Sequence, residues 1–264
     1  MYRHVAFGLG LAVASLPMSA GAAAIDVSTW VVDGAGNWDR GTDTNSVTQS
    51  RNSRPTVFHD NRASSQGRAL AGKIRVGRGD NDFVGFVLGY RQGDVLGDNA
   101  DTDYLLIDWK QGTQGGWGEG MAISRVTGPI DTSGVDTSSD AWDHVGNVDL
   151  ITRSNAPGAR FANTGWEDGE EYAFELVFTE KRVAVTVDGE TEIDISPADA
   201  GILSFADGAF GFYNFSQPNV LYSGLSEDTL PEEVVVPVPG ALPLFASALG
   251  AAGLLRYRRG RGRS

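Results

Sequence analysis

The chain has 264 residues, with 34 Asp and Glu against 21 Lys and Arg, a formal net charge of −13 and no cysteine. The missing cysteines exclude disulfides, thiolate metal centres and a cysteine nucleophile together. The acidic balance disfavours nucleic acid and anionic membranes as partners of the main domain and favours divalent cations.

In chain order, residues 1–24 have the pattern of a secretory leader. Arg3 and His4 precede an apolar run from Val5 to Met18, and Ser19-Ala20-Gly21-Ala22-Ala23-Ala24 supplies the small residues of a cleavage site. Cleavage would start the chain near Ile25; the alternative is an uncleaved anchor, for which the run is short against the roughly 20 apolar residues of a span. From Ile25 to Leu225 the pattern is one of strands and turns. Strands are expected at Val27–Val32, Thr56–His59, Leu70–Val76, Phe83–Tyr90, Tyr104–Lys110, Met121–Val126 and Ala209–Phe215. Tyr172, Phe174, Leu176 and Phe178 share a face of another strand. Val183, Val185 and Val187 share a face of the next, and Asp188-Gly189 turns it into Thr191–Ile195. About a dozen strands with turn residues at short intervals predict two packed antiparallel sheets, an all-β jelly-roll sandwich. The polar loop Thr127–Asp143 belongs at one end of it, and Ser226–Glu233 reads as an acidic linker.

Several residues invite a chemical role. Asp80, Asn81 and Asp82 stand just before a strand, where hard oxygen ligands can converge on Ca²⁺; the alternative is a capped turn. Asp94, Asp98, Asn99, Asp101 and Asp103 form a weaker acidic cluster without the glycine and closing Glu of an EF-hand loop, and a solvated hairpin tip suits it better. Arg78-Gly79-Asp80 spells an integrin-recognition tripeptide, a short match of the kind that chance produces. Glu192 and Asp194 alternate on one strand as in two-carboxylate glycosidases, but Ser196 and Pro197 occupy the places where a third acid would stand. His59 and His144 are too far apart for a zinc motif, and no Gly-x-Ser-x-Gly elbow or phosphate-binding glycine loop occurs. Among six tryptophans, Trp117 (in Gly115-Gly116-Trp117-Gly118) and Trp142 are the candidates for sugar stacking; the alternative is a loop anchor.

Asp80-Asn81-Asp82-Phe83-Val84-Gly85-Phe86-Val87-Leu88-Gly89-Tyr90, followed by the apolar strand ending Trp109-Lys110-Gln111-Gly112-Thr113-Gln114, resembles the C-terminal domain of thrombospondins. Gly165-Trp166 and the run Gly208–Gln217 fit the same order, so the likeness spans Val27 to Leu225. It implies a legume-lectin-like jelly roll, calcium in the loops and an adhesive or matrix role. The chain departs from that family in lacking the preceding calcium-binding repeats and in the acidic insertion Gly93–Thr102, so receptor contacts do not carry over.

At the other end, Val236-Pro237-Val238-Pro239 precedes an apolar segment and five arginines, Arg256, Arg258, Arg259, Arg261 and Arg263. A membrane stop with its basic side in the cytoplasm is the physical expectation. The order resembles PEP-CTERM sorting signals, in the variant written Val-Pro-Leu-Pro-Ala. That implies an exosortase protease as processing partner and residues 237–264 as the sorting and membrane segment; the alternative is an unprocessed single-span anchor. Without Arg3 and the tail arginines, 15 basic residues face 34 acidic ones, a net of −19. The expectation is an exported, non-enzymatic, calcium-dependent module of the bacterial surface or matrix that recognises polysaccharide or matrix protein. A glycan-active hydrolase and a purely structural matrix protein are the alternatives.

Overall fold

The computed structural model describes residues 22–97, 99–132 and 139–231. The leader up to residue 21, Asp98, the centre of the polar loop (133–138), and the tail with Val236, Pro237, Val238 and Pro239 lie outside the described residues.

Among the described residues, fifteen strands form two antiparallel sheets. The first contains β1 (Ala23–Ala24), β3 (Trp38–Arg40), β4 (Val47–Gln49), β6 (Arg68–Val76), β11 (Glu171–Phe178), β12 (Val183–Val187), β13 (Glu190–Ile195) and β15 (Val220–Thr229). Its order is β13-β12-β11-β6-β15-β4-β3, with β1 on β15. The second contains β2 (Val31–Gly34), β5 (Thr56–His59), β7 (Phe83–Tyr90), β8 (Asp103–Lys110), β9 (Gly120–Thr127), β10 (Val148–Arg153) and β14 (Ala209–Phe215), in the order β10-β9-β8-β7-β14-β5-β2. The fold is the expected all-β sandwich. A single turn of helix, α1 (Asp140–Asp143), is capped by Ser139.

Between the sheets, alternate residues interlock in an aromatic core. Phe212 stacks on Tyr222 at 4.1 Å, and Phe86, Phe174 and Trp30 close around Phe212. Burying each such ring stabilises the fold by about 1.5–3 kcal/mol. A second, smaller core lies on the opposite face of the seven-stranded sheet. There Phe83, Val87, Leu106, Tyr213 and Phe215 are covered by Ile130, Ala141 and Trp142. This explains why every residue of β7 and of β14 is buried: strands covered on both sides read as continuous apolar runs, without a polar face.

Local chemistry accounts for the departures from expectation. Val27–Val32 is not one strand, because the Asp26 carboxylate accepts the Ser28 amide and winds Val27–Thr29 into a 3-10 turn before β2. The hairpin at Asp188-Gly189 forms as expected, both residues having positive φ (50° and 81°). β15 continues past Leu225 to Thr229, so Ser226–Thr229 is sheet and the linker cannot begin there. Glu227 and Ser226 pair with Ala23 and Ala24, the residues expected to close the leader.

Candidate functional site

A polar recess opens at one end of the sandwich, where β5 and β7 finish and β14 begins. It has a volume of 260 Å³ and is lined by His59, Asp60, Asn61, Arg62, Ala63, Tyr90, Arg91, Gln92 and Ala209. A second recess of 170 Å³ shares Asp60, Asn61 and Arg62 and extends past Asp26, Thr29 and Trp30 to Glu227. Together they make an elongated cleft.

Its floor is fixed by buried hydrogen bonds. The Asp60 carboxylate is buried and accepts from the Arg62 amide at 2.9 Å and from the Arg62 guanidinium. The same guanidinium donates to both oxygens of Glu227, at 2.9 and 2.7 Å, and Arg68 adds a third bond at 3.0 Å. Arg62 therefore holds the Glu227 carboxyl below the usual carboxylate range, against the opposing pull of burial. His59 places Nδ1 2.7 Å from the Asp60 carbonyl oxygen; a carbonyl only accepts, so Nδ1 carries the proton. Its Nε2 lies 3.4 Å from Asp33 Oδ2, which also accepts from the Tyr90 hydroxyl (3.0 Å) and the Gly93 amide (2.6 Å). Burial alone would raise the Asp33 carboxyl. The pull of the adjacent His59 ring and the hydrogen bonds from Gly93 and Tyr90 outweigh it, and the group is held low. Burial pushes the Tyr90 phenol well up, so it stays a neutral donor.

The rim differs from the floor. Asn61, Arg91 and Gln92 are exposed, and among the described residues none of their side chains forms a hydrogen bond. Two amides without hydrogen bonds and the Arg91 guanidinium, whose charge acts on Asp94, thus border a preorganised polar floor. Planar donors and acceptors of this kind match vicinal hydroxyl groups. The chain also has a wider depression of 360 Å³ on the outer face of the eight-stranded sheet, floored by Ala71, Gly72, Ala173 and Gly224. It offers fewer polar groups, chiefly Lys73, Glu175, Thr186 and Ser226.

The carboxylates expected to hold calcium are already occupied. Asp82 is buried, and its Oδ1 sits 2.8 Å from the ammonium of Lys110, which is fully buried. Burial pushes the Asp82 carboxyl up. Asp80 instead accepts from Asn52 and from the Asn81 amide. The Asn81 side chain lies over Gly112. Asp94 turns inward to accept from the Arg91 amide, Asn99 and Thr102, and burial raises its carboxyl. Asp103 forms a bidentate pair with Arg125, both bonds 2.8 Å. Asp101 is exposed at a turn where its amide donates to Asn99. Among the described residues no three acidic or histidine groups gather as a metal set. Among the described residues, Asp80, Asp82, Asp94 and Asp103 thus form no open oxygen set for Ca²⁺, because cations and N–H or O–H donors of the chain engage their oxygens, while the exposed Asp101 stands apart from them.

The aromatic candidates divide. Trp142 is fully buried, its ring edge against Phe83 and Phe215, so it is core and not a sugar platform. Trp117 is partly exposed, but His144 covers one face at 3.6 Å and Arg153 lies 4.6 Å over the ring. The acid pair fails as well. A register shift in the β12–β13 pairing puts Glu192 and Ile193 both inside, while Asp194 is exposed and paired with Arg182. The Glu192 carboxylate is fully buried and accepts from Ser154 (2.6 Å), the Arg160 amide (2.9 Å) and the Phe161 amide (3.0 Å). It anchors a loop. Sequence reading missed the cleft except for His59. The available signal was the polar run His59-Asp60-Asn61-Arg62 directly after an apolar strand.

No protein-family profile matches the chain. Its curated relatives include thrombospondin-2 of Gallus gallus, 26% identical over 154 residues, and thrombospondin-2 of Homo sapiens, 26% identical over 158. These matches cover 55% of this chain but only 12% of each thrombospondin. Among solved structures, the carbohydrate-binding module CBM66 of Bacillus subtilis superposes with a TM-score of 0.50 at 10% identity, over 76% of this chain and 95% of the module. A Bacillus subtilis protein with a galectin-like fold gives a TM-score of 0.52 at 10% identity, over 77% of this chain and 90% of that one. At such identities the likeness is one of fold.

Proposed function

We propose that the chain is an exported, non-catalytic module that binds extracellular polysaccharide in the cleft at the end of the sandwich. The observation that carries this reading is the arrangement of the cleft: a floor locked by Asp60, Arg62, Glu227 and Asp33, and a rim whose Asn61, Gln92 and Arg91 side chains form no hydrogen bond among the described residues. Preorganised polar groups lose little entropy on taking up a sugar, and unpaired rim amides gain hydrogen bonds from it. The fold shared with CBM66 supports the ligand class. The removal of Glu192 and Asp194 from any common surface argues against hydrolysis at that pair. The leader and tail patterns support an exported reading, at the cell surface or in the matrix, with an exosortase as the processing partner of the tail. Sugar binding in this cleft requires no calcium on this reading, since its Asp60 and Glu227 carboxylates are engaged with Arg62.

The test is a panel of immobilised polysaccharides probed with the wild-type chain and with Asn61→Ala/Gln92→Ala, each with Ca²⁺ and with chelator. Binding to at least one polysaccharide, unchanged by chelator and reduced tenfold or more in the double variant, is the expected result. Binding equal in both proteins removes the cleft; binding lost with chelator restores a metal requirement.

A further inference from the structure

Two bonds end the leader equally well by sequence: Ala20-x-Ala22 allows a cut before Ala23, and Ala22-x-Ala24 a cut before Ile25. The folded domain treats the two products differently. Ala23 and Ala24 form β1, paired antiparallel with β15 so that Ala23 lies opposite Glu227 and Ala24 opposite Ser226. The ladder continues inward, where the Ile25 amide donates to the Leu225 carbonyl at 3.0 Å. The Asn45 side chain ties the same junction, donating to the carbonyl oxygens of Ile25 (2.8 Å) and Leu225. Exposure changes abruptly along this stretch. Ala22, Ala23 and Ala24 are exposed, whereas Ile25 is only 7% exposed. Ala24 and Ile25 also line the second recess of the cleft, beside Asp60, Asn61, Arg62 and Glu227.

Given the exported reading above, we infer that the leader is cut between Ala22 and Ala23, and that the retained Ala23-Ala24 closes the edge of β15 and walls the cleft. A leader peptidase reads small residues in an extended chain, so both bonds are open to it. The products differ in where they leave charge. Hydrolysis adds one water across the amide. The C–N bond breaks, the carbonyl carbon takes the hydroxyl, and the nitrogen takes one proton from water and one from the new acid, ending as an ammonium beside a carboxylate. Cut before Ile25, that ammonium stands on a buried residue, at the nitrogen bonded to Leu225, where desolvation is costly. Ser226 and Glu227 then lose their strand partner, and the recess loses the Ala24 wall. Cut before Ala23, the ammonium stands on an exposed residue opposite the acidic Glu227, and β1 stays whole.

The test is the first residue of the full chain after export from a bacterial host, read by N-terminal sequencing and intact mass. The expected first residue is Ala23. Ile25, or any other new first residue, overturns the proposal and leaves export standing. A chain that still begins at Met1 overturns both. A second measurement separates the role of β1 from the position of the cut. Chains produced to begin at Ala23 and at Ile25 are compared by thermal unfolding, and the shorter one should melt about 2–6 °C lower. Equal melting temperatures overturn the strand role. Neither readout involves a sugar, so failure of polysaccharide binding and failure of this inference are separate outcomes.

Discussion

Replacing Glu192 by alanine separates a loop anchor from a surface acid. The side chain is fully buried, and its carboxylate accepts from the Ser154 hydroxyl and from the amides of Arg160 and Phe161. Truncation leaves those two amides without an acceptor, each at about 1–3 kcal/mol; Ser154 keeps a bond to the Glu192 carbonyl. The sum is about 3–4 kcal/mol once partial relaxation of the loop is allowed. For a domain of this size each kcal/mol lowers Tm by about 2–4 °C, so a fall of about 10 °C is expected by scanning calorimetry. Hydrogen exchange should show lost protection at Arg160 and Phe161. In contrast, Asp194→Asn breaks an exposed pair with Arg182 and should cost less than about 1 kcal/mol. A Glu192→Ala protein melting within about a degree of wild type would refute the anchoring argument.

Trp142→Ala empties a fully buried site and should destabilise by about 3–5 kcal/mol, whereas Trp117→Ala, at a half-buried site, should cost less; urea denaturation compares them. Millimolar Ca²⁺ and chelator should give the same Tm for residues 25–230, since a ligand that binds only the folded state must raise it and the Asp82 and Asp103 carboxylates are already paired with Lys110 and Arg125. Glu227 has its carboxyl held below 4.5 by Arg62. A lowered carboxyl stabilises the fold above its unfolded value and loses that contribution as pH falls through the folded one. Wild type should therefore lose stability faster than Glu227→Gln below about pH 4.5, measured by denaturation between pH 5 and 3.

The architecture was legible because its strands follow simple patterns. Thr56–His59, Phe83–Tyr90, Val183–Val187 and Ala209–Phe215 begin and end where the sequence puts them. The short strands β3 and β4 carry three residues each, too few for a periodic signal, and β15 was cut short because Ser226-Glu227-Asp228 looks like solvent-facing linker. Site chemistry was less legible because an acidic residue in sequence does not show its partner. Asp82 finds Lys110 from 28 residues away, and Glu192 finds Ser154 from 38 away. Both pairings convert apparent ligands or catalysts into internal structure. The cleft was hidden for the same reason: Arg62 meets Glu227 across 165 residues, and only the folded chain brings Gln92 opposite Asn61.

The most direct test of glycan binding at the cleft is a titration of the preferred polysaccharide fragment into isotope-labelled protein, read by amide chemical shifts. The account predicts saturable shifts confined to residues 59–63, 90–92 and their neighbours. Shifts centred on the Ala71–Gly72 depression of the eight-stranded sheet, or no saturable response to any polysaccharide, would contradict it.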